Sequence, residues 1–228
     1  MSTADGSRPR GPDRDAALRQ YRRRAAVYDL ELALFEPIRE RAVAALGLRR
    51  GDTVLDVGCG TGLSLARLRA AVGASGRVVG IEQSAEMLER AARRVKEERW
   101  RNVRLVCAPV EEAAIGVRAD AALFHFTHDI LRRREAVARV LAHLVPGARV
   151  VASGLKWTRR RWALPANLLV MAAARRSVTS LEGLGRPWST LAPSLERVEV
   201  QSLLLDTVYI ASGVVAAPPA GTRRARLR

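Results

Sequence analysis

The chain has 228 residues, 48% hydrophobic and 27% charged, proportions that exclude wholesale disorder, collagen-like repeats and a disulfide scaffold and leave a folded globular chain. Its 39 lysines and arginines against 23 acids leave a formal net charge of +16, so a polyanion is one candidate partner, although an arginine-rich composition throughout the chain explains the same excess without one. Cys59 and Cys107 are the two cysteines; they offer no disulfide framework and suit a reducing compartment, so a cytoplasmic location is expected.

Residues 1–14 are polar, without the apolar core of a signal peptide, and read as a flexible tail; residues 218–228 read as a basic tail. Between them, 15–217 is expected to fold as a single domain. Within 15–50 the apolar positions Ala26, Val27, Leu30, Leu34, Ile38, Ala42, Ala45 and Leu46 recur at helical spacing, which predicts one or two N-terminal cap helices, with Pro37 marking a break or a new first turn. Residues 53–57 are β-branched, apolar and stopped by glycines, and predict a strand; Leu63, Leu65, Leu68 and Val72 predict the helix after it. The alternation continues with strands at 77–81, 103–107, 119–124 and 148–153 and helices at 85–96 and 130–144. Such a rhythm implies right-handed crossovers and an α/β fold with a mainly parallel sheet covered by helices on both faces. The rhythm then breaks at Lys156, Arg159, Arg160 and Arg161, and 156–190 is expected to be a lid-like insertion containing the apolar stretch 162–174. That stretch is interrupted by Pro165 and Asn167 and is shorter than the roughly 20 residues a membrane span needs. Two last strands, 198–205 and 208–214, are joined across Asp206-Thr207, a connection short enough to demand antiparallel neighbours.

The densest chemistry lies at Val57-Gly58-Cys59-Gly60-Thr61-Gly62, three glycines at alternate positions where a strand enters a helix. Glycine supplies positive φ and removes Cβ, so a nucleotide-like ligand can approach backbone N–H groups there. The next strand ends at Glu82, twenty residues after Gly62, where a carboxylate can accept ribose hydroxyls. A dinucleotide fingerprint requires its third glycine at position 63, which is leucine, and Asp56 directs an acid into the turn, better suited to a cationic or zwitterionic ligand than to a pyrophosphate.

These segments, with Val79-Gly80-Ile81-Glu82-Gln83-Ser84 and Leu144-Val145-Pro146-Gly147-Ala148-Arg149-Val150-Val151, resemble the class I S-adenosylmethionine-dependent methyltransferases over roughly 21–213. The stretch 21–29 looks like the branch containing quinone-biosynthesis and phospholipid-amine methyltransferases. The resemblance implies a Rossmann-like seven-stranded sheet with an antiparallel last strand, and S-adenosyl-L-methionine as cofactor. By the same likeness Asp56, Gly58, Cys59, Gly60 and Gly62 border the amino-acid end of the cofactor, Glu82 holds the ribose, and Gln83 and Met87 lie near the adenine. Ala108-Pro109-Val110 stands where the family often has an acidic or amide side chain, so adenine contacts at Ala108 and Val110 fall to backbone; Phe124 completes the cofactor set.

Methyl transfer is an in-line displacement that depends first on alignment of the two reactants, and a general base helps only a protonated acceptor. His125 and His128, just past the fourth predicted strand, are the catalytic candidates; the competing reading packs His125 against the sheet and makes His128 and Asp129 a helix cap. His143 reads as a surface or cap residue. Tyr21, Tyr28, Trp162 and Met171 are candidate substrate contacts, and an apolar small-molecule acceptor is favoured. Peripheral contact with an anionic membrane is a second reading of the arginine-bracketed insertion. A nucleic-acid methyltransferase and a non-catalytic cofactor-binding protein stay as alternatives; few aromatics and no base-amino motif speak against the first. Three histidines and two cysteines offer no paired metal-ligand spacing.

Overall fold

The computed structural model describes residues 35–158, 160, 165–168, 170–171 and 182–216. In chain order the elements are α1 (Glu36–Ala45), β1 (Thr53–Val57), α2 (Leu65–Val72), β2 (Arg77–Glu82), α3 (Ala85–Glu97), β3 (Val103–Cys107), β4 (Ala119–His125), α4 (His128–Leu131), α5 (Arg134–Leu141), β5 (Leu144–Leu155), β6 (Leu195–Leu203) and β7 (Val208–Val215). The strands form one seven-stranded sheet in the order β3-β2-β1-β4-β5-β7-β6. β1 to β5 are parallel, β7 runs antiparallel to β5, and β6 antiparallel to β7. This is the α/β, mainly parallel sheet that the alternating pattern implied, in the seven-stranded, Rossmann-like form that the resemblance implied.

Because helices cover both faces, the central strands are continuous apolar runs rather than alternating ones; Val54, Leu55 and Val57 of β1 are all fully buried. On one face Val54, Ala121 and Leu123 pack with Ile38, Ala42 and Leu46 of the α1 segment and with Leu65, Leu68 and Val72 of α2. On the other, Leu55, Val57 and Phe124 pack with Leu131, Val137 and Val140 of α4 and α5. β1 lies between β2 and β4, so chain connections leave it in opposite directions, and the carboxyl ends of β1 and β4 flank the crevice where open α/β sheets bind ligands.

Several expected boundaries move. The single helix expected over 130–144 is two, α4 and α5, because Arg133 adopts extended backbone (φ −89, ψ 108) as the residue before α5, while its guanidinium bonds Glu111 at 2.8 Å. β5 begins at Leu144 rather than 148, across an irregularity in its pairing with β4 between Ala119 and Ala121. β6 begins at Leu195 and ends at Leu203. The expected two-residue connection is instead a four-residue tip, with Leu204, Leu205 and Asp206 all at positive φ. Asp206 anchors that tip by pairing with Lys156 and accepting from Thr158 Oγ1 at 3.2 Å. The expected tails 1–14 and 218–228 lie outside the described residues, as do 15–34 of the cap region and 159, 161–164, 169 and 172–181 of the insertion. Among the described residues no helix is long and apolar enough to cross a membrane.

Candidate functional site

The turn after β1 is built by hydrogen bonds to its neighbour strand: Gly58 N and Cys59 N both donate to the Ile81 carbonyl, at 2.8 and 3.0 Å. Gly58, Gly60 and Gly62 all have positive φ, and only one of them faces open space. A Cβ on Gly58 would lie 2.6 Å from Thr127 Cγ2, and one on Gly62 2.7 Å from Leu65 Cδ1, so both let the turn pack closely. A Cβ on Gly60 would meet nothing within 4 Å. Gly60 is therefore where a ligand can lie against the backbone.

Glu82 braces this turn. Its carboxylate accepts from Gly60 N at 3.1 Å and from Ser84 N at 2.8 Å, while Ser84 caps α3 by accepting from Met87 N at 3.3 Å. Burial raises the Glu82 carboxyl above its ordinary value, and these backbone donors oppose the rise. Two oxygens offer about four acceptor positions, so Glu82 keeps capacity for further donors at the turn.

A cleft opens between the turn, Arg39 of α1, Asp56 of β1 and the His125-Phe126 end of β4. Arg39 is 1% exposed. It is held by an ion pair with Glu36, whose other oxygen takes Arg67 Nε of α2 at 2.7 Å. Asp56 is 2% exposed, and its Oδ2 has no hydrogen-bond partner among the described residues; the same holds for Arg39 Nε and His125 Nε2. Desolvation pushes the Asp56 carboxyl up to about 7, with Arg39 lowering it and Glu82 raising it further. Buried polar groups of native proteins are normally satisfied. An acid and a guanidinium that each keep an unused polar atom thus line one cleft, and their opposite charges are able to accept the two ends of a zwitterion.

Sequence reasoning missed Arg39. The signal was present: residues 39, 42, 43 and 46 are all buried, so the arginine occupies a slot in an otherwise apolar helical stripe, and only a bound or buried anion makes that tolerable.

The other expected residues are placed as follows. Cys59 lines the cleft as a buried thiol, its pKa raised by burial and by the nearby Asp56 and Glu82. Gln83 and Ala108 are half-buried near the carboxyl ends of β2 and β3, while Met87 and Val110 are buried at 2% and 4% exposure. Phe124 is fully buried in the core on the face opposite Asp56, so its side chain does not border the cleft. Met171 is half-buried; Tyr21, Tyr28 and Trp162 lie outside the described residues. His143 Nδ1 contacts the Arg139 carbonyl at 2.8 Å at the end of α5.

The two candidate histidines part company. His125 lines the cleft, with Nδ1 2.7 Å from Ser153 Oγ, and burial lowers its pKa to about 3, so it stays neutral. His128 lies outside that cleft, its Nε2 2.8 Å from the Glu182 carbonyl. The expected cap at Asp129 is not formed: α4 starts at His128 after Thr127, which makes no side-chain cap bond, and Asp129 sits inside the first turn. Among the described residues no three His, Cys, Asp or Glu side chains are grouped to hold a metal.

Residues 54–147 match the model of a methyltransferase domain. A demethylmenaquinone methyltransferase of Lactococcus lactis is 33% identical over 118 residues, 50% of this chain and 46% of that protein. A 2-phytyl-1,4-naphtoquinone methyltransferase of Trichormus variabilis is 39% identical over 77 residues, 32% of this chain and 34% of its own. The chain thus spans under half the length of these curated relatives. Among solved structures, the N-methyltransferase NodS of Bradyrhizobium japonicum superposes with a TM-score of 0.59 at 18% identity, over 80% of this chain and 97% of that one. The same protein in complex with S-adenosyl-L-homocysteine gives a TM-score of 0.58, over 80% of this chain and 88% of that one, at 17% identity.

Proposed function

We propose that this chain, whose residues 54–147 match the model of a methyltransferase domain, is a class I S-adenosylmethionine-dependent methyltransferase that binds S-adenosyl-L-methionine in the Arg39–Asp56 cleft and methylates a small, apolar molecule. The observation that carries the reading is the pair of buried, opposite charges, each with an unused polar atom, lining one cleft beside the open Gly60 backbone. The cofactor's methionyl end is a zwitterion and fits that pair: Arg39 holds its carboxylate and Asp56 its ammonium. Glu82 takes ribose hydroxyls on the acceptor positions that Gly60 and Ser84 leave open. Gln83, Met87, Ala108 and Val110 flank the adenine, largely through backbone.

When bound, the cofactor supplies an electrophilic methyl on a sulfonium. The chain supplies alignment. Gly58, Cys59 and Gly60 fix the ligand against the turn, and the aromatic rings of Phe35 and Phe126, with centroids 4.9 Å apart, close one side against water. Holding two reactants as a near-attack pair accounts for about 7–11 kcal/mol of a barrier, so such a site needs little acid–base help. The relatives named for demethylmenaquinone and 2-phytyl-1,4-naphtoquinone support a small, apolar acceptor such as a quinone, a lipid amine or a secondary metabolite.

The test incubates the protein with extract and methyl-labelled cofactor and partitions the product. Label in the organic phase is expected. Label confined to RNA, or no transfer while cofactor binds, overturns the acceptor class.

A further inference from the structure

The tip between β6 and β7 stands at the carboxyl edge of the sheet, because Val208 at the start of β7 pairs with Leu155 at the end of β5. β1 and β4, whose ends flank the candidate cofactor cleft, run parallel to β5 and finish at the same edge. Leu204 and Leu205 of the tip are each 57% exposed, and Leu168 is 64% exposed; among the described residues no other large apolar side chain is as exposed.

One threonine ties these separate segments together. Thr158 Oγ1 donates to Asp206 at 3.2 Å, beside Leu205. Thr158 N donates to Asn167 Oδ1 at 2.9 Å, and Asn167 Nδ2 donates back to the Thr158 carbonyl at 3.3 Å, which holds the residue before Leu168. Arg160 N donates to Thr158 Oγ1 at 3.2 Å, and Arg160 is exposed. Each of the three leucines is therefore within two residues of a side chain held by Thr158, and an exposed cation stands beside them.

The backbone of the tip is strained. Leu204, Leu205 and Asp206 lie at φ +47, +56 and +68, the left-handed region that non-glycine residues enter singly and seldom. A tip that only reversed the chain would carry glycine or asparagine there. Strain of this kind persists where the surroundings enforce it. Here Thr207 N donates to the Leu203 and Leu204 carbonyls at 3.2 and 3.1 Å, and Asp206 is locked by its ion pair with the buried Lys156. The fold thus braces two adjacent leucines in solvent, against both the hydrophobic effect and their backbone preference.

A second copy of the chain is a poor cover for them, since a stable protein interface buries about 800 Å² on each partner, and a hairpin tip with one further leucine offers a small, projecting contact. A lipid surface asks less: a few apolar side chains at the acyl boundary, with a cation at headgroup level. Arg160 and the net charge of +16 suit anionic headgroups, and the acid of the tip is already neutralised by Lys156.

We propose that the β6–β7 tip is a membrane anchor: Leu204 and Leu205, with Leu168 beside them, enter the surface of an anionic bilayer and turn the carboxyl edge of the sheet toward it. The anchor goes beyond the methyl-transfer reading, and its test needs no cofactor.

The full chain is sedimented with vesicles of mixed phosphatidylcholine and phosphatidylglycerol at low and high salt. Attraction between a cationic protein and anionic lipid needs no tip and is screened by salt, whereas inserted leucines hold at high salt. Leu204→Ser/Leu205→Ser should lower the high-salt partition coefficient roughly tenfold to hundredfold, the worth of two half-exposed leucines. Val198→Ser/Val200→Ser, which removes exposed apolar groups of β6 away from the tip, should partition like the parent. Leu205→Trp should add an emission that shifts to the blue and escapes an aqueous quencher when vesicles are added. Equal high-salt partitioning of the parent and the double-serine tip variant, no sedimentation of the parent, or an unshifted emission from Leu205→Trp overturns the anchor. A lipid-free dimer of the parent that the double-serine tip variant loses assigns the leucines to a second copy and overturns it as well.

Discussion

Replacing Asp56 by asparagine should stabilise the ligand-free protein while removing its ability to hold the cofactor. Burial raises the Asp56 carboxyl from 3.8 to about 7 despite the neighbouring Arg39. A carboxyl raised by that much costs the folded state roughly 4 kcal/mol once it is ionised. Because the folded-state pKa lies above the unfolded one, stability is greatest below about pH 4 and declines as pH rises through about 7. Asparagine cannot ionise, but its buried amide is itself incompletely satisfied, at about 1–2 kcal/mol. The net gain expected for Asp56→Asn is therefore about 2–3 kcal/mol at pH 8 and close to zero at pH 5, or roughly 5–10 °C in Tm at the higher pH. Arg39 keeps Glu36 as its ion partner in the variant, so no uncompensated cation is created. Denaturant titrations at both pH values, with and without S-adenosyl-L-homocysteine, measure this directly. An asparagine variant less stable than the parent at pH 8, or a difference independent of pH, would refute the reasoning.

Arg39→Met preserves the bulk of a 1% exposed side chain and should weaken cofactor binding roughly 10- to 100-fold by removing a charge-assisted bond to the carboxylate; equilibrium dialysis with labelled cofactor reads it, and unchanged affinity would place the carboxylate elsewhere. Glu82→Gln replaces one of the two carboxylate oxygens that accept from Gly60 N and Ser84 N and should lower both stability, by about 1–2 kcal/mol, and cofactor affinity; a loss of stability alone would make Glu82 a brace only. Gly60→Ala and Gly58→Ala separate ligand from packing. Both sit at positive φ, so each alanine costs about 1 kcal/mol in backbone strain; the first meets open space and should in addition weaken cofactor binding, whereas the second drives a Cβ to 2.6 Å from Thr127 Cγ2 and should lower Tm further.

Much of the fold was legible in the sequence because its central strands are buried on both faces. In the run 53–57 the one charged residue is Asp56, which stands at the candidate site, whereas the outer strand 103–107 carries Arg104 and is only partly buried. The elements that moved are those set by tertiary contacts. The split between α4 and α5 depends on Arg133 reaching Glu111, twenty-two residues away, and the β6–β7 tip depends on Asp206 reaching Lys156; neither contact has a local signature. At the site, the glycine turn, Asp56 and Glu82 announced themselves by spacing. Arg39 did not, since an arginine in a helix reads as solvated surface until its neighbours at 42, 43 and 46 are recognised as a buried stripe. The two histidines are three residues apart and indistinguishable by type; only the strand end at His125 and the turn at Phe126 place the first in the cleft and the second outside it.

Isothermal titration calorimetry with S-adenosyl-L-homocysteine, in two buffers of different ionisation enthalpy, tests the zwitterion receptor most directly. Binding should approach one ligand per chain and release about one proton at pH 6, falling toward none at pH 8, as the ligand's ammonium forces Asp56 to ionise. Absence of binding, or binding with no proton released at pH 6, would contradict it.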